Sequence, residues 1–337
     1  MKKYLLPQTG NFYKANLHSH STVSDGCLTP EEMKKAYAEH GYSIVAYTDH
    51  NVLISQNHLT DENFLALNGY ELNAAGENGQ TCHMNFIALD PDNLTQVCYH
   101  RSKYLFRNAV NYRDQVKFDE SLPDYERVHT PEKISEMMQM GRNGGFFVTY
   151  NHPSWSLEEP WQYTNYHGMH AMEIHNTGCI RSGYLDYNEK EYDLILRAGE
   201  RIFCIAADDN HNGYPLDSPL TDSFGGFTMI KAEKLDYKTV TDAMLAGHFY
   251  ASQGPEIYDL WIEEEMLHIT CSPAEKIVLS GTARIMEYEY AQPGQKLTGA
   301  VLPIHREHKY IRVTVIDEKG KRANTNAYFL DELFKEA

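Results

Sequence analysis

The sequence predicts an α/β barrel followed by a small β-sandwich, and three observations predict it. Short apolar runs alternate with helix-period segments up to about residue 252. Five of those runs finish in a residue type that binds metals. Beyond Gly254-Pro255, strand-like runs recur with no helix between them. At 337 residues the chain exceeds one ordinary core and suits a barrel with a smaller module.

The first candidate strands cover residues 15–18, 43–48, 64–71, 84–89, 145–150, 171–175, 201–207 and 226–230. Thr29-Pro30-Glu31-Glu32 is a capping box with proline at the first helical position. Met33, Ala36 and Tyr37 then share one face, and Gly41 stops the helix. Thr130-Pro131 opens a second helix with Ile134, Met137 and Met138 at i, i+3 and i+4, closed by Gly144-Gly145. A third is expected over 185–199 and a fourth over 237–247. Strand, helix, strand in repetition implies a mostly parallel sheet, and this many units imply a barrel. Residues 90–129 are polar and aromatic, with Arg101, Lys103, Arg107 and Arg113, and read as an insertion over one end of it. The barrel is assigned to 1–254. Residues 255–337 carry strand-like runs at 257–263, 266–271, 276–280, 285–291, 310–317 and 323–329, broken at turns such as Pro293-Gly294.

Composition excludes several functions. Lys plus Arg is 30 against 47 Asp plus Glu, a formal charge of −17, so long duplex nucleic acid would meet repulsion over most of the surface. No run approaches the roughly 20 apolar residues of a membrane helix, and the basic start is interrupted at Pro7, too early for a signal-peptide core. Six cysteines without a C-x-x-C pair fit reduced thiols in a cytoplasm. Neither a G-x-S-x-G elbow nor a phosphate-binding G-x-x-x-x-G-K loop is present.

The 17 histidines carry the chemistry. Asn16-Leu17-His18-Ser19-His20 sets two imidazoles on one side of an extended segment. About one such pair is expected by chance, so the weight lies in the company it keeps. Asp25 sits in Ser24-Asp25-Gly26, and His50 ends Thr48-Asp49-His50. Glu71 ends an apolar run, His152 stands in Asn151-His152-Pro153, and Asp209-Asn210-His211 follows another run. In a parallel barrel these strand ends meet at one mouth. Imidazole with carboxylate suits zinc, manganese or iron, and the absence of cysteine argues against a structural zinc knot.

In this order the motifs resemble those of the polymerase and histidinol phosphatase (PHP) family of metal-dependent phosphoesterases. The resemblance covers roughly residues 14–254, including the closing Gly247-His248-Phe249-Tyr250 and Gly254-Pro255. It implies a distorted (β/α)7 TIM-like barrel and three divalent metal ions. It also adds His83, which precedes its apolar run; a strand entering the mouth from the opposite direction would explain that position. On this resemblance His18, His20, Glu71 and Asp209 hold the first ion. Glu71 bridges to a second held by His83 and His152, and Asp25, His50 and His211 hold the third. Three carboxylates against three divalent ions leave a cationic pocket that would attract inorganic phosphate or a small phosphorylated substrate.

The implied activity is hydrolysis of a phosphate ester of a small metabolite or nucleotide, by a hydroxide that two metals share. Asp209 is expected to accept a proton, and His175 to donate one or touch substrate. Arg181, on a glycine-flanked loop, is a candidate phosphate clamp because guanidinium matches phosphate geometry. A metal-dependent amidohydrolase is one alternative. A silent metal-binding module whose sandwich recruits a partner is another. His40, His58, His100, His129, His167, His170, His248, His268, His305 and His308 lack the placement and read as surface or packing residues. The sandwich groups no such residues at its strand ends and is expected to add nothing to the metal chemistry.

Overall fold

The computed structural model describes residues 2–334. Its strands are β1 (Lys3–Tyr4), β2 (Asn11–Asn16), β3 (Ile44–Tyr47), β4 (Leu65–Ala75), β5 (Thr81–Ala88), β6 (Phe146–Tyr150), β7 (Ala171–Asn176), β8 (Phe203–Ala207), β9 (Phe227–Ala232) and β10 (Phe249–Ser252). The chain continues through β11 (Ile257–Glu263), β12 (Met266–Ala274), β13 (Lys276–Gly281), β14 (Glu287–Tyr290), β15 (Leu297–Pro303), β16 (Tyr310–Ile316), β17 (Arg322–Thr325) and β18 (Tyr328–Phe329). Helices are α1 (Pro30–Glu39), α2 (Pro131–Asn143), α3 (Pro160–Tyr163), α4 (Thr177–Arg181), α5 (Glu189–Ala198), α6 (Tyr237–Leu245) and α7 (Leu330–Leu333).

The result is a mixed α/β fold built on two sheets. The larger runs β14-β13-β16-β17-β10-β9-β2-β3-β4-β5-β6-β7-β8, with β18 on β16. Within it β2, β3 and β4 pair in parallel, as do β6, β7 and β8. Between these two sets β5 is antiparallel to both of its neighbours. The expected regular alternation is kept only in part. A helix crosses from β2 to β3, from β6 to β7, from β7 to β8 and from β9 to β10, but β3 reaches β4 through a 3-10 turn at Asn57–Leu59. Among the described residues no ladder closes β8 onto β9. The two are joined by a side chain: Thr228 Oγ1 accepts from Ala206 N at 3.2 Å and donates to Ala206 O at 3.0 Å.

Local chemistry explains the helix ends. Both halves of the α1 capping box form, Glu32 N to Thr29 Oγ1 at 3.2 Å and Thr29 N to Glu32 Oε2 at 2.9 Å. Met33, Ala36 and Tyr37 are the face it buries. Thr130 caps α2, whose Ile134, Met137 and Met138 are buried as its period requires. Helix α5 starts at residue 189, not 185. Asp186 is occupied elsewhere, its carboxylate taking Trp155 N at 2.9 Å and its carbonyl Asn176 N at 3.2 Å. Gly199, at φ 119, ends α5 in the left-handed region.

The second sheet has the order β1-β11-β12-β15. Strand β15 lies outside the strand-like runs expected of this region; its Gly299 sits where a Cβ would meet Ile269 O at 2.5 Å. Two connections cross residue 254. Strand β10 pairs with β17, Tyr250 opposite Thr325, and β1 pairs with β11, Tyr4 opposite Trp261. One apolar cluster contains Met33, Tyr37, Val45 and Tyr47 together with Leu260, Ile269, Ile311 and Val313. Arg312, 2% exposed, reaches Asp193 and Glu189 of α5 at 2.9 and 2.8 Å. No helix is long and apolar enough to cross a membrane among the described residues.

Candidate metal centre

The site lies beyond the C-terminal ends of β2, β3, β6, β7 and β8, with Glu71 and His83 supplied from within β4 and β5. Strand β2 stops at Asn16, so His18 and His20 stand on the segment after it, held by a bridge between Ser19 and Asn210. The inverted direction of β5 brings His83, near its start, to the end of the sheet where its parallel neighbours finish.

Several motif residues turn out to be braces for their ligand neighbours. Asp49 accepts from Ser21 N (2.8 Å), Ser24 N (3.0 Å), Ser21 Oγ (2.8 Å) and Ser24 Oγ (2.8 Å), and so shapes the loop that carries Asp25. Burial raises its carboxyl above the usual value, although these bonds pull the other way. Gly26 closes that loop where a Cβ would lie 2.2 Å from His20 O. Asn151 Nδ2 donates to Glu71 Oε1 at 2.9 Å. Asp208 accepts from the backbone N–H groups of Phe224, Gly225 and Gly226 at 2.7–3.0 Å, leaving Asp209 free to face the site. His152 and Asp209 both have positive φ, 28° and 52°, a strain that surrounding contacts must hold in place.

All nine expected ligands come together. Around Glu71 stand His18 Nε2 at 3.2 Å, His152 Nε2 at 3.2 Å, His83 Nδ1 at 3.0 Å and His50 Nδ1 at 2.9 Å. Asp209 Oδ1 lies 3.2 Å from His18 Nε2 and 3.0 Å from His20 Nε2. Asp25 Oδ1 lies 3.4 Å from His211 Nε2, 3.8 Å from His50 Nε2 and 4.0 Å from His20 Nδ1. Ligand atoms lie within 4.8 Å of one another in four overlapping groups: His20, Asp25, His50 and His211; His18, His20 and Asp209; His50, Glu71 and His83; and His18, His152 and Glu173.

The electrostatics follow from this crowding. Burial works against a charged His18, yet Asp209, Glu71 and Glu173 carry its imidazole well above the ordinary histidine value. Burial likewise opposes His152 and His211, and neighbouring carboxylates outweigh it, lifting both to about 9. His20 goes the other way: burial, then His50 and His211, push it down to about 3. Burial alone would raise Glu71, but His83, His18 and His50 hold it well below the carboxylate range.

The residues fit divalent cations. Three deeply buried polar atoms, His20 Nδ1, Glu71 Oε2 and His83 Nδ1, make no hydrogen bond despite charged neighbours within about 4 Å. Such atoms are costly unless a group between them takes their lone pairs. Imidazole and carboxylate donors without thiolate suit zinc, manganese or iron.

Two expected residues lie differently from the nine. His175 does not line the cavity. Its Nε2 is 3.0 Å from Thr177 Oγ1 and its Nδ1 2.9 Å from Gln253 Nε2, and burial, then Lys321 and Arg181, push its pKa down to about 3. His175 is thus enclosed between Thr177 and Gln253, away from the cavity wall where a donor or substrate role was expected of it. Arg181 does line the cavity, exposed, with Nε donating to Thr221 O at 3.1 Å. The residue that sequence reasoning missed is Glu173, two positions before His175. Its Oε1 takes His18 Nδ1–H at 2.7 Å, and its Oε2 takes His152 N and Asn176 Nδ2, each at 2.9 Å. Asn176 Nδ2 in turn reaches Asp209 Oδ2 at 3.2 Å. The available signal was a carboxylate between Met172 and Ile174 inside a wholly buried strand.

A cavity of about 670 Å³ opens over the cluster, walled by Tyr104, Phe106, Trp155, Tyr214 and Leu220 as well as by seven of the nine ligands, His18 and His20 lying behind its wall. No protein-family model matches the chain, and no curated protein does. Its structural neighbours are PHP-like metal-dependent phosphoesterases and an amidohydrolase. One is a two-domain protein from Bacteroides vulgatus described as containing a predicted PHP-like metal-dependent phosphoesterase; it is 16% identical at a TM-score of 0.44, over 97% of this chain and 90% of that one. A second, from Bifidobacterium adolescentis, is described as a candidate metal-dependent phosphoesterase, 16% identical at 0.40 over 65% and 94%. A third is an amidohydrolase from Chromobacterium violaceum with bound sulfate and no metal, 16% identical at 0.39 over 61% and 93%.

Proposed function

We propose that the protein is a metal-dependent phosphoesterase of PHP type, acting on a small phosphorylated substrate. The observation that carries this reading is the convergence of His18, His20, Asp25, His50, Glu71, His83, His152, Asp209 and His211 around buried polar atoms that lack partners. The order of the motifs along the chain favours phosphate esters over amides. His18, His20, Glu71 and Asp209 would hold one ion, Glu71, His83 and His152 a second, and Asp25, His50 and His211 a third. When bound, such ions lower the pKa of water and polarise phosphoryl oxygens.

The chain's own residues do the rest. Glu173 and Asn151 orient His18 and Glu71, so that the donor atoms are in place before substrate arrives. Asp209, kept ionised against burial by His18, His20 and His152, is the proton acceptor at the cavity floor. Arg181, at the cavity wall, would take a phosphate oxygen. In the balanced reaction the water oxygen joins phosphorus, the ester P–O bond breaks, and the leaving oxygen takes up a proton.

Chelator-stripped protein, refilled with manganese, zinc or iron, should release phosphate from esters only in the loaded state, with amides as the control. Turnover that survives complete metal removal would overturn the reading. Cleavage of amides without esters would give the site to an amidohydrolase.

A further inference from the structure

We infer that the cavity over the metal ligands selects esters whose leaving group carries a flat aromatic ring, and that Tyr104 and Phe106 of the 90–129 insertion make this subsite with Trp155. This deepens the phosphoesterase reading and rests on it.

The inference starts from what the insertion contributes. Tyr104 and Arg107 have positive φ, 71° and 47°, at two non-glycine positions three residues apart. Such backbone persists only where its surroundings hold it, and here it delivers two rings to the cavity wall. Tyr104 is fixed from behind: Arg127 lies 4.2 Å over its ring, and its hydroxyl donates to Glu126 Oε2 at 3.1 Å. Phe106 meets the His50 ring edge-on at 5.8 Å yet stays 44% exposed. From another segment, Trp155 stands edge-on to His83 and His152 at 5.2 and 4.9 Å. Its loop is pinned by the bond from Trp155 N to Asp186. Aromatic rings therefore border the ligand imidazoles on two sides.

Two polar groups of the wall are already engaged, which weighs against a polyhydroxylated leaving group. Asn51 already donates through Nδ2 to Asn73 Oδ1 at 2.9 Å and accepts from Arg127, while Arg181 Nε is committed to Thr221 O. Sugar hydroxyls placed against Phe106 and Leu220 would lose water without gaining partners there. A ring there loses nothing polar and buries the exposed faces of Phe106 and Leu220.

Calorimetric binding to the metal-loaded protein tests this without turnover, using benzylphosphonate, cyclohexylmethylphosphonate and methylphosphonate. Benzyl phosphate and glucose 6-phosphate, whose leaving groups are both alkoxides, give the parallel test of hydrolysis. Benzylphosphonate should bind at least about tenfold tighter than either other phosphonate. Phe106→Leu, which keeps apolar bulk without a ring, should cut that advantage several-fold. Equal affinities for the benzyl and cyclohexylmethyl compounds, or faster turnover of glucose 6-phosphate than of benzyl phosphate, would overturn the inference. Tight benzylphosphonate binding without hydrolysis of any ester would uphold the aromatic subsite and remove the phosphoesterase reading.

Discussion

Glu173 shows how one buried carboxylate can organise ligands it does not join at the cavity surface. It fixes His18 with Nδ1–H toward itself and Nε2 toward the site, and it holds the strained backbone of His152. Glu173→Gln keeps the shape but turns one acceptor into a donor facing N–H groups. Metal affinity, measured by titration with elemental analysis, should fall roughly 10–100-fold while the apo-protein still folds. Unchanged affinity would reduce Glu173 to a packing residue. His175 makes a different prediction. Its folded pKa of about 3 lies below the unfolded value near 6.5. Its stabilising contribution is therefore complete above about pH 6.5 and is lost as pH falls toward 3, at up to about 1.4 kcal/mol per pH unit. In urea unfolding at pH 7, 5.5 and 4.5, His175→Gln should be destabilised less by acid than the parent chain. A parallel acid dependence in both proteins would show that this imidazole is not held neutral. Most of the nine ligands were legible because rare residue types fell at or just beyond strand ends, whereas His83, near the start of its strand, came only from the family resemblance. Glu173 and His175 were not told apart because the register of β7 shifts between them, which breaks the two-residue alternation that would put both on one face.

Helix α5 is tied to the second half of the chain through Arg312, with Arg322 Nη1 a further 3.7 Å contact to Glu189 Oε2. Arg312 on β16 donates from Nε to Asp193 Oδ1 at 3.0 Å, and Tyr310 donates to the same oxygen at 2.8 Å. Replacing Arg312 by Met leaves two carboxylates partly solvated and not fully stranded. The loss should be roughly 2–3 kcal/mol in denaturant unfolding, below that of a wholly buried pair. A variant as stable as the parent would mean that desolvation of Arg312 offsets its bonds. Caps and stops made α1 and α2 readable, because Thr29 and Thr130 act within three residues of themselves. Strand β15 was unreadable for the opposite reason: its glycine answers to Ile269, on a strand about thirty positions away.

At the scale of the molecule, the large sheet passes through residue 254 by way of β10 and β17, and a single apolar cluster takes residues from both sides of it. A fragment ending at residue 254 would strip Leu260, Ile269, Ile311 and Val313 from the cluster that also holds Tyr37, Tyr47 and Tyr250. It should bind a hydrophobic dye, melt without cooperativity and hold little metal. A cooperative melt with full metal content would show that residues 1–254 stand alone. The barrel-like alternation was visible in the sequence, whereas the continuity of the sheet was not, since β10 and β17 are separated by about seventy residues and neither names the other. The pairing of β1 with β11 sets an order in time. Lys3 and Tyr4 are made well before Ile262 and Trp261, the residues they pair with, which follow nearly 260 positions later. At roughly 5–20 residues per second, the opening segment waits on the order of ten seconds or more with its edge unfilled. Strand β1 is thus made long before its partner, and a chaperone that shields an unpaired strand edge would act in that interval.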